Sequence, residues 1–162
     1  MTEIENVATY MRWHSLMLAT AESCTAGLIA SQMADLPGAG SLLECAFVVY
    51  SPSAKQRCLG ISDEILARYN LTSEEVASAM VQGAAQRCGA PVVIANTGVA
   101  DDGGDGVAAG TQCFAWLLRA PGCKDGLYTE TRQFSGDRNT VREAAAQYAL
   151  ERVPHYHALW TR

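Results

Sequence analysis

PVVIANTG, residues 91–98, is a run of apolar and β-branched residues that turns polar only at Asn96 and Thr97 and empties into the loop DDGGDG. A strand with one face in water alternates apolar and polar residues. This one is apolar at successive positions, so it reads as a central strand covered by helices on both faces.

The neighbouring segments fit that reading. Upstream, LTSEEVASAMVQGAAQRCG (71–89) reads as a helix, with Thr72 and Glu75 spaced as a capping box and Gly89 as its stop. Before it lie the helical turn SPSAKQRCLG (51–60), the segment ISDEILARY (61–69), and the β-branched and aromatic strand CAFVVYS (45–51). LMLAT (16–20) is a further short buried strand, followed by a helix over Thr25 to Ala34 that ends at the turn signal Leu36-Pro37-Gly38. Residues 3–14 place Ile4, Val7, Ala8 and Met11 at helical spacing. Downstream, TQCFAWLL (111–118) and LYTETRQFS (127–135) read as two strands joined by the turn APGCKDG, and a helix runs from Arg138 to Glu151 with Gly136 or Asp137 near its cap. The tail HYHALWTR (155–162) reads as a loose end. Strands that alternate with helices and finish in a hairpin predict an α/β fold with a mixed sheet.

The 162 residues suit one domain over 1–162, with no repeat, linker or low-complexity stretch. A net charge of −5 argues against nucleic acid as the main partner, because backbone binding needs basic surface. The first residues, MTEIENVATYMRW, are too acidic for a secretory signal, and no apolar run is long enough to span a bilayer, so no membrane partner is expected. Six scattered cysteines without a CxxC pair fit reduced, mostly buried thiols in a cytoplasmic protein. The apolar helices suit a homo-oligomer, a dimer first.

Ligands of α/β sheets bind where strands end and helices begin. Three segments meet that description: TAESCTAG (20–27), VVYSPSAK (48–55) and NTGVADDGGDG (96–106). If Cys24 and Thr25 open a helix, their N–H groups can hold an anion or a developing oxyanion beside Ser23. Ser23 is equally a good helix cap, and Glu22 reads as a solvated or capping carboxylate. A serine nucleophile needs a base, and His14, His155 and His157 are poorly placed for a Ser-His-Asp triad. Lys55 follows a strand at the same sheet edge, with Tyr50 at that strand's end, although an exposed lysine and an interfacial tyrosine account for the same residues. Asp101, Asp102 and Asp105 lack calcium-loop spacing and read as a solvated turn, so no metal is assigned. Arg138 and Arg142, four apart on one helix face, suit either an anionic ligand or surface pairing.

Taken together, TAESCTAG, VVYSPSAK, the stretch from LTSEEVASAMVQGAAQRCGA into ANTGVA, and FSGDRNTVREAAAQYAL resemble the C-terminal domain family of the competence/damage-inducible protein CinA, whose stand-alone members include nicotinamide-nucleotide amidases. The resemblance spans nearly the whole chain and implies a three-layer α/β/α domain. It also implies hydrolysis of the amide of nicotinamide mononucleotide to nicotinate mononucleotide and ammonia, without a cofactor and with a small nucleotide as substrate. On that resemblance Ser23 is the nucleophile, with Lys55 and Tyr50 as its catalytic partners. The resemblance also places Thr97, Gly98 and Arg138 at the substrate, and the reading of the residues adds Cys24 and Thr25, Gly103 and Gly104 of the glycine loop, and Arg142 as candidate substrate contacts. The chain departs from the family where loops read TGIAGPGG and continue to Lys-Pro-Val-Gly-Thr: here TGVADDGGDGVAAGT gains two aspartates and loses that lysine. Ala26 stands for a usual glycine, Pro52 for a usual asparagine, and Cys45-Ala46 for two frequent glycines. Added negative charge beside a phosphate opposes nucleotide binding, so a differently specific or non-catalytic binding module is the alternative.

Overall fold

The computed structural model describes residues 1–103 and 105–162; Gly104, assigned above to the substrate, lies outside the described residues. In chain order the elements are α1 (Glu3–Trp13), β1 (Leu18–Glu22), α2 (Leu28–Ala34), a 3-10 turn (Ala39–Ser41), β2 (Leu43–Val48), α3 (Pro52–Leu59), α4 (Asp63–Arg68), α5 (Glu74–Ala85), β3 (Val92–Gly98), β4 (Thr111–Leu118), β5 (Gly126–Gln133), α6 (Arg138–Glu151) and α7 (Val153–Trp160).

The strands form one sheet in the order β2-β1-β3-β4-β5. β2, β1 and β3 run parallel, β4 runs antiparallel to β3, and β5 is antiparallel to β4, so that it points the same way as the first three. Side chains alternate across the sheet as strand geometry requires. Val92 and Ile94 of β3, with Phe114, Trp116 and Leu118 of β4, join Met11, Ile29, Met33, Ala145 and Ala149 in one core beneath α1, α2, α6 and α7. Val93 and Ala95, with Ala115 and Leu117, face the other way onto Val76, Met80, Val81 and Ala84 of α5. Helices therefore cover both faces, giving the three-layer α/β/α arrangement with a mixed sheet.

The two layers differ in grain. Trp116 anchors the first, its indole N–H donating to the Ala149 carbonyl at 2.9 Å. On the second, β1 and β3 present Ala19, Ala21 and Ala95, small residues that let α5 approach closely. α5 then holds α3 nearby: a Cβ at Gly83 would lie 2.2 Å from the Leu59 carbonyl oxygen.

Several boundaries differ from the sequence reading. β1 and β2 begin two residues away from the expected positions, so Tyr50 lies beyond its strand. α2 starts at Leu28 rather than Thr25, because Ala26 and Gly27 take positive φ (47° and 97°) that no helix accommodates. The cap of α5 is Ser73, whose oxygen accepts from Val76 N–H, instead of Thr72. The tail is no loose end: α7 buries Val153, Tyr156 and His157. Of the six free cysteines only Cys24 and Cys113 are buried, while Cys58 and Cys123 are exposed. Among the described residues, no helix is long and apolar enough to cross a membrane.

Connections from β1 lead to β2 on one side, and the chain then crosses to β3 on the other. The carboxyl ends of β1 and β3 thus flank a topological switch point, where open α/β sheets leave a crevice. Ser23 follows the first strand, and Thr97 and Gly98 end the second.

In an open helix interior, Gly→Ala adds about 0.5–1 kcal/mol of stability. Gly83→Ala should instead destabilise by about 1–3 kcal/mol, the usual cost of forcing bulk into a closed contact. Urea unfolding reads the sign directly, and a stabilised variant would show that α3 and α5 can separate freely.

Candidate active site

Lys55 enters the site because α3 begins immediately after β2. Ser51 caps that helix by accepting from Ala54 N–H at 3.1 Å, and Pro52 supplies the fixed φ suited to a first turn. The lysine is only 1% exposed. Its Nζ lies 3.0 Å from Ser23 Oγ, 3.1 Å from the Val49 carbonyl and 3.2 Å from the Tyr50 carbonyl. Burial disfavours the ammonium and lowers the pKa to about 8. In the ammonium form, three N–H donors meet three oxygens. In the neutral form, two hydrogens can stay on the carbonyls while the lone pair faces the serine hydroxyl, the arrangement of a poised base.

Ser23 is held in turn by the strand end. Its N–H donates to the Asn96 carbonyl at 2.9 Å, and its own carbonyl accepts from Ala26 N–H at 3.0 Å, closing a tight turn. Ala26 is left-handed there, where a glycine would sit without steric cost. Beneath the turn, the fully buried Glu22 side chain accepts five hydrogen bonds. They come from the hydroxyls of Thr20 (2.8 Å) and Thr25 (2.7 Å), and from the N–H groups of Gly27 (3.1 Å), Ile29 (2.9 Å) and Ala30 (3.1 Å). A second circuit locks the other side: Thr25 N–H donates to Asn96 Oδ1 at 3.0 Å, Asn96 Nδ2 to Gln112 Oε1 at 2.9 Å, and Gln112 Nε2 to Cys24 Sγ at 3.4 Å.

This wiring corrects the expected anion nest. Thr25 N–H already has a partner, and Cys24 and Thr25 lie in a turn rather than at a helix start. Among the described residues, Cys24 N–H makes no hydrogen bond, so it alone in the Ser23–Gly27 turn keeps an unused backbone donor.

The other candidate residues divide. Tyr50 reaches Lys55 through its carbonyl, not its phenol; the hydroxyl accepts from Arg138 Nη2 at 2.8 Å. Arg138 also donates to Asp101 Oδ1 at 3.1 Å, and that bond and the nearby charge keep its guanidinium firmly protonated. Arg142 turns inward, with Nε on the Cys24 carbonyl at 2.8 Å and Nη2 on the Thr25 carbonyl at 3.3 Å, where it braces the serine turn. Thr97 is buried with its hydroxyl on the Leu71 carbonyl at 2.8 Å. Gly98 packs on Gln112, whose Oε1 would lie 2.3 Å from an added Cβ, and a Cβ on Gly103 would approach Val99 at 2.7 Å. Among the described residues, no group of three or more His, Cys, Asp or Glu is placed to hold a metal.

Glu22, Asn96 and Gln112 were not identified as site residues from sequence. Their signal was present: each is a polar residue in or ending an otherwise apolar strand, and a buried polar group must find partners. Which partners they find depends on chain segments up to 88 residues apart.

Comparison with known proteins places this geometry in context. The family model for the CinA C-terminal domain matches residues 2–157. A putative competence-damage inducible protein of Symbiobacterium thermophilum is 42% identical over 147 residues, covering 87% of this chain and 34% of that protein. A CinA-like protein of Akkermansia muciniphila is 38% identical over 146 residues, covering 89% and 34%. The chain thus spans about a third of the length of these relatives. Among solved structures, the competence damage-inducible protein A of Klebsiella pneumoniae superposes with a TM-score of 0.90 at 32% identity, covering 98% of this chain and 96% of that one. A competence/damage inducible protein of Agrobacterium tumefaciens gives a TM-score of 0.84 at 30% identity, covering 97% of each.

Glu22→Gln keeps the shape but sets an amide NH2 among five donors. It should destabilise the fold by about 2–4 kcal/mol, as when a buried charge-assisted network loses its acceptor. Chemical denaturation measures the loss; a change within error of zero would mean that the turn does not depend on this carboxylate.

Proposed function

This chain belongs to the CinA C-terminal domain family, and on that premise we propose that it is an amidohydrolase in which Ser23 is the nucleophile and Lys55 its base. The observation that carries the reading is the buried contact of 3.0 Å between Lys55 Nζ and Ser23 Oγ. A lysine stripped of water, with two carbonyls to hold its remaining hydrogens, is suited to take a serine proton near neutral pH.

The reaction follows from those positions. Neutral Lys55 accepts the Ser23 proton as Oγ attacks the amide carbon. The oxyanion forms against Cys24 N–H, the donor of the residue after the nucleophile, which serves the same purpose in other serine hydrolases. Lys55, now an ammonium, returns its proton to the amide nitrogen; the C–N bond breaks and ammonia departs from an acyl-serine. Water, deprotonated by the same lysine, then cleaves the ester, releases the carboxylic acid and restores Ser23. Tyr50 contributes through its carbonyl, which orients Lys55, while its phenol stands with Arg138 at the mouth. The resemblance to nicotinamide-nucleotide amidases makes nicotinamide mononucleotide the first substrate to try.

A second reading, a binding module without turnover, draws on the Arg138–Asp101 pair, which occupies a cation suited to a phosphate. Purified protein incubated with nicotinamide mononucleotide distinguishes them by ammonia release: binding without release favours the module.

For the amidase, Ser23→Ala and Lys55→Met should each lower kcat/KM by about 10³-fold or more, the scale seen when a nucleophile or its base is removed. The sign of the pH dependence is fixed by the form required. Lys55 must be neutral, so kcat/KM rises about tenfold per pH unit below the lysine pKa and levels off above about 8. A rate that falls on passing from pH 7 to 8.5, with the fold intact, would exclude Lys55 as the base.

A further inference from the structure

Two arginines near the start of α6 reach residues of the site, and both terminal nitrogens of Arg138 and all three guanidinium nitrogens of Arg142 meet protein acceptors. Arg142 spends Nε and Nη2 on the carbonyls of Cys24 and Thr25, and Nη1 lies 3.3 Å from Asn139 Oδ1. Arg138 lies at the mouth, between Asp101 Oδ1 on one side and the Tyr50 hydroxyl on the other. Tyr50 connects this pair to the reaction centre, because its carbonyl is one of the three oxygens around Lys55 Nζ. Asp101 therefore stands two residues from the dyad by direct contacts, and its carboxylate cancels the one arginine charge that faces outward there. Asp102 and Asp105 are exposed further along the same loop.

The electrostatic consequence bears on the ligand. A phosphate reaching this mouth must either displace Asp101 from Arg138 or come to rest beside it, and both cost free energy that an unphosphorylated ligand does not meet. An amide on a pyridinium ring without phosphate carries a net positive charge, which the aspartates attract.

We infer that Asp101 is a specificity-determining residue that turns this site away from phosphorylated amides and toward amides of net positive charge, of the class of an N-ribosyl nicotinamide lacking its 5′-phosphate. The inference rests on the amidase reading for its chemistry, but its selectivity can be measured by binding alone.

The test compares nicotinamide riboside with nicotinamide mononucleotide. Dissociation constants are measured by calorimetry on Ser23→Ala protein, with Asp101 in place and with Asp101→Asn or Asp101→Gly, at low and at moderate salt. Turnover of both compounds is followed in the matching Ser23 proteins. With Asp101 present, the riboside should bind more tightly and show the higher kcat/KM. Both substitutions should shift the preference toward the mononucleotide by about fivefold to tenfold, the size of one screened charge–charge interaction, and added salt should shrink the shift. A preference for the mononucleotide with Asp101 in place, a ratio that neither substitution moves, or failure of both compounds to bind would overturn the inference. Turnover with an unchanged ratio sinks the selectivity and leaves the amidase standing. Selective binding without ammonia release sinks the amidase and sustains the role of Asp101.

Discussion

A carboxylate kept wholly out of water is the constraint on which the rest of this site depends. Glu22 ends β1, and its two oxygens collect two threonine hydroxyls and three backbone N–H groups. Two of those N–H groups belong to the first turn of α2, a helix of seven residues whose own N-cap, Gly27, offers no side-chain oxygen. Glu22 supplies the missing cap from inside the sheet layer and sets negative charge at the positive end of the helix dipole. The chain between the strand and the helix has little freedom left. Ser23 is the next residue, and its position is a consequence of satisfying the glutamate.

The Ser23–Lys55 contact is completed by packing on the opposite layer. Small residues on β1 and β3 bring α5 close to the sheet, and Gly83 lets α3 close onto α5. Lys55 is the fourth residue of α3, so its stem is trapped among these contacts and its amine has only oxygens to face. The lowered pKa is a result of that burial. One layer thus positions the serine through hydrogen bonds, and the other lowers the lysine pKa by excluding water.

Much of the fold was legible because it is written in periodicity. The apolar run Val92–Ala95, the apolar stretch of β4 and the cap at Asp137 are local patterns, and each element they predict is present. Errors fell where the deciding contact was distant. The α7 segment carries little amphipathic pattern of its own and folds because Tyr156 stacks on Tyr128 and Trp116. α2 is shortened where Ala26 and Gly27 turn to positive φ, a turn that Asn96 holds by taking Thr25 N–H from 71 residues away. Glu22 read as a solvated or a capping carboxylate, and the structure selects the cap, with three backbone N–H groups and two threonine hydroxyls on its oxygens.

The sequence by itself determined the layered α/β class, the order of its elements and the identity of a serine, a lysine and a tyrosine at adjoining strand ends, because hydrophobic spacing and strand-to-helix junctions are short-range properties. Tertiary structure alone decided which polar group meets which. It turned the phenol of Tyr50 away from Lys55 and onto Arg138, gave Arg142 to two backbone carbonyls, and placed Asp101 on the one cation at the mouth. For the half-buried Arg142 the choice follows from the requirement that polar groups taken out of water find partners, while the exposed Tyr50, Arg138 and Asp101 meet because closure of the whole chain brings three distant segments together.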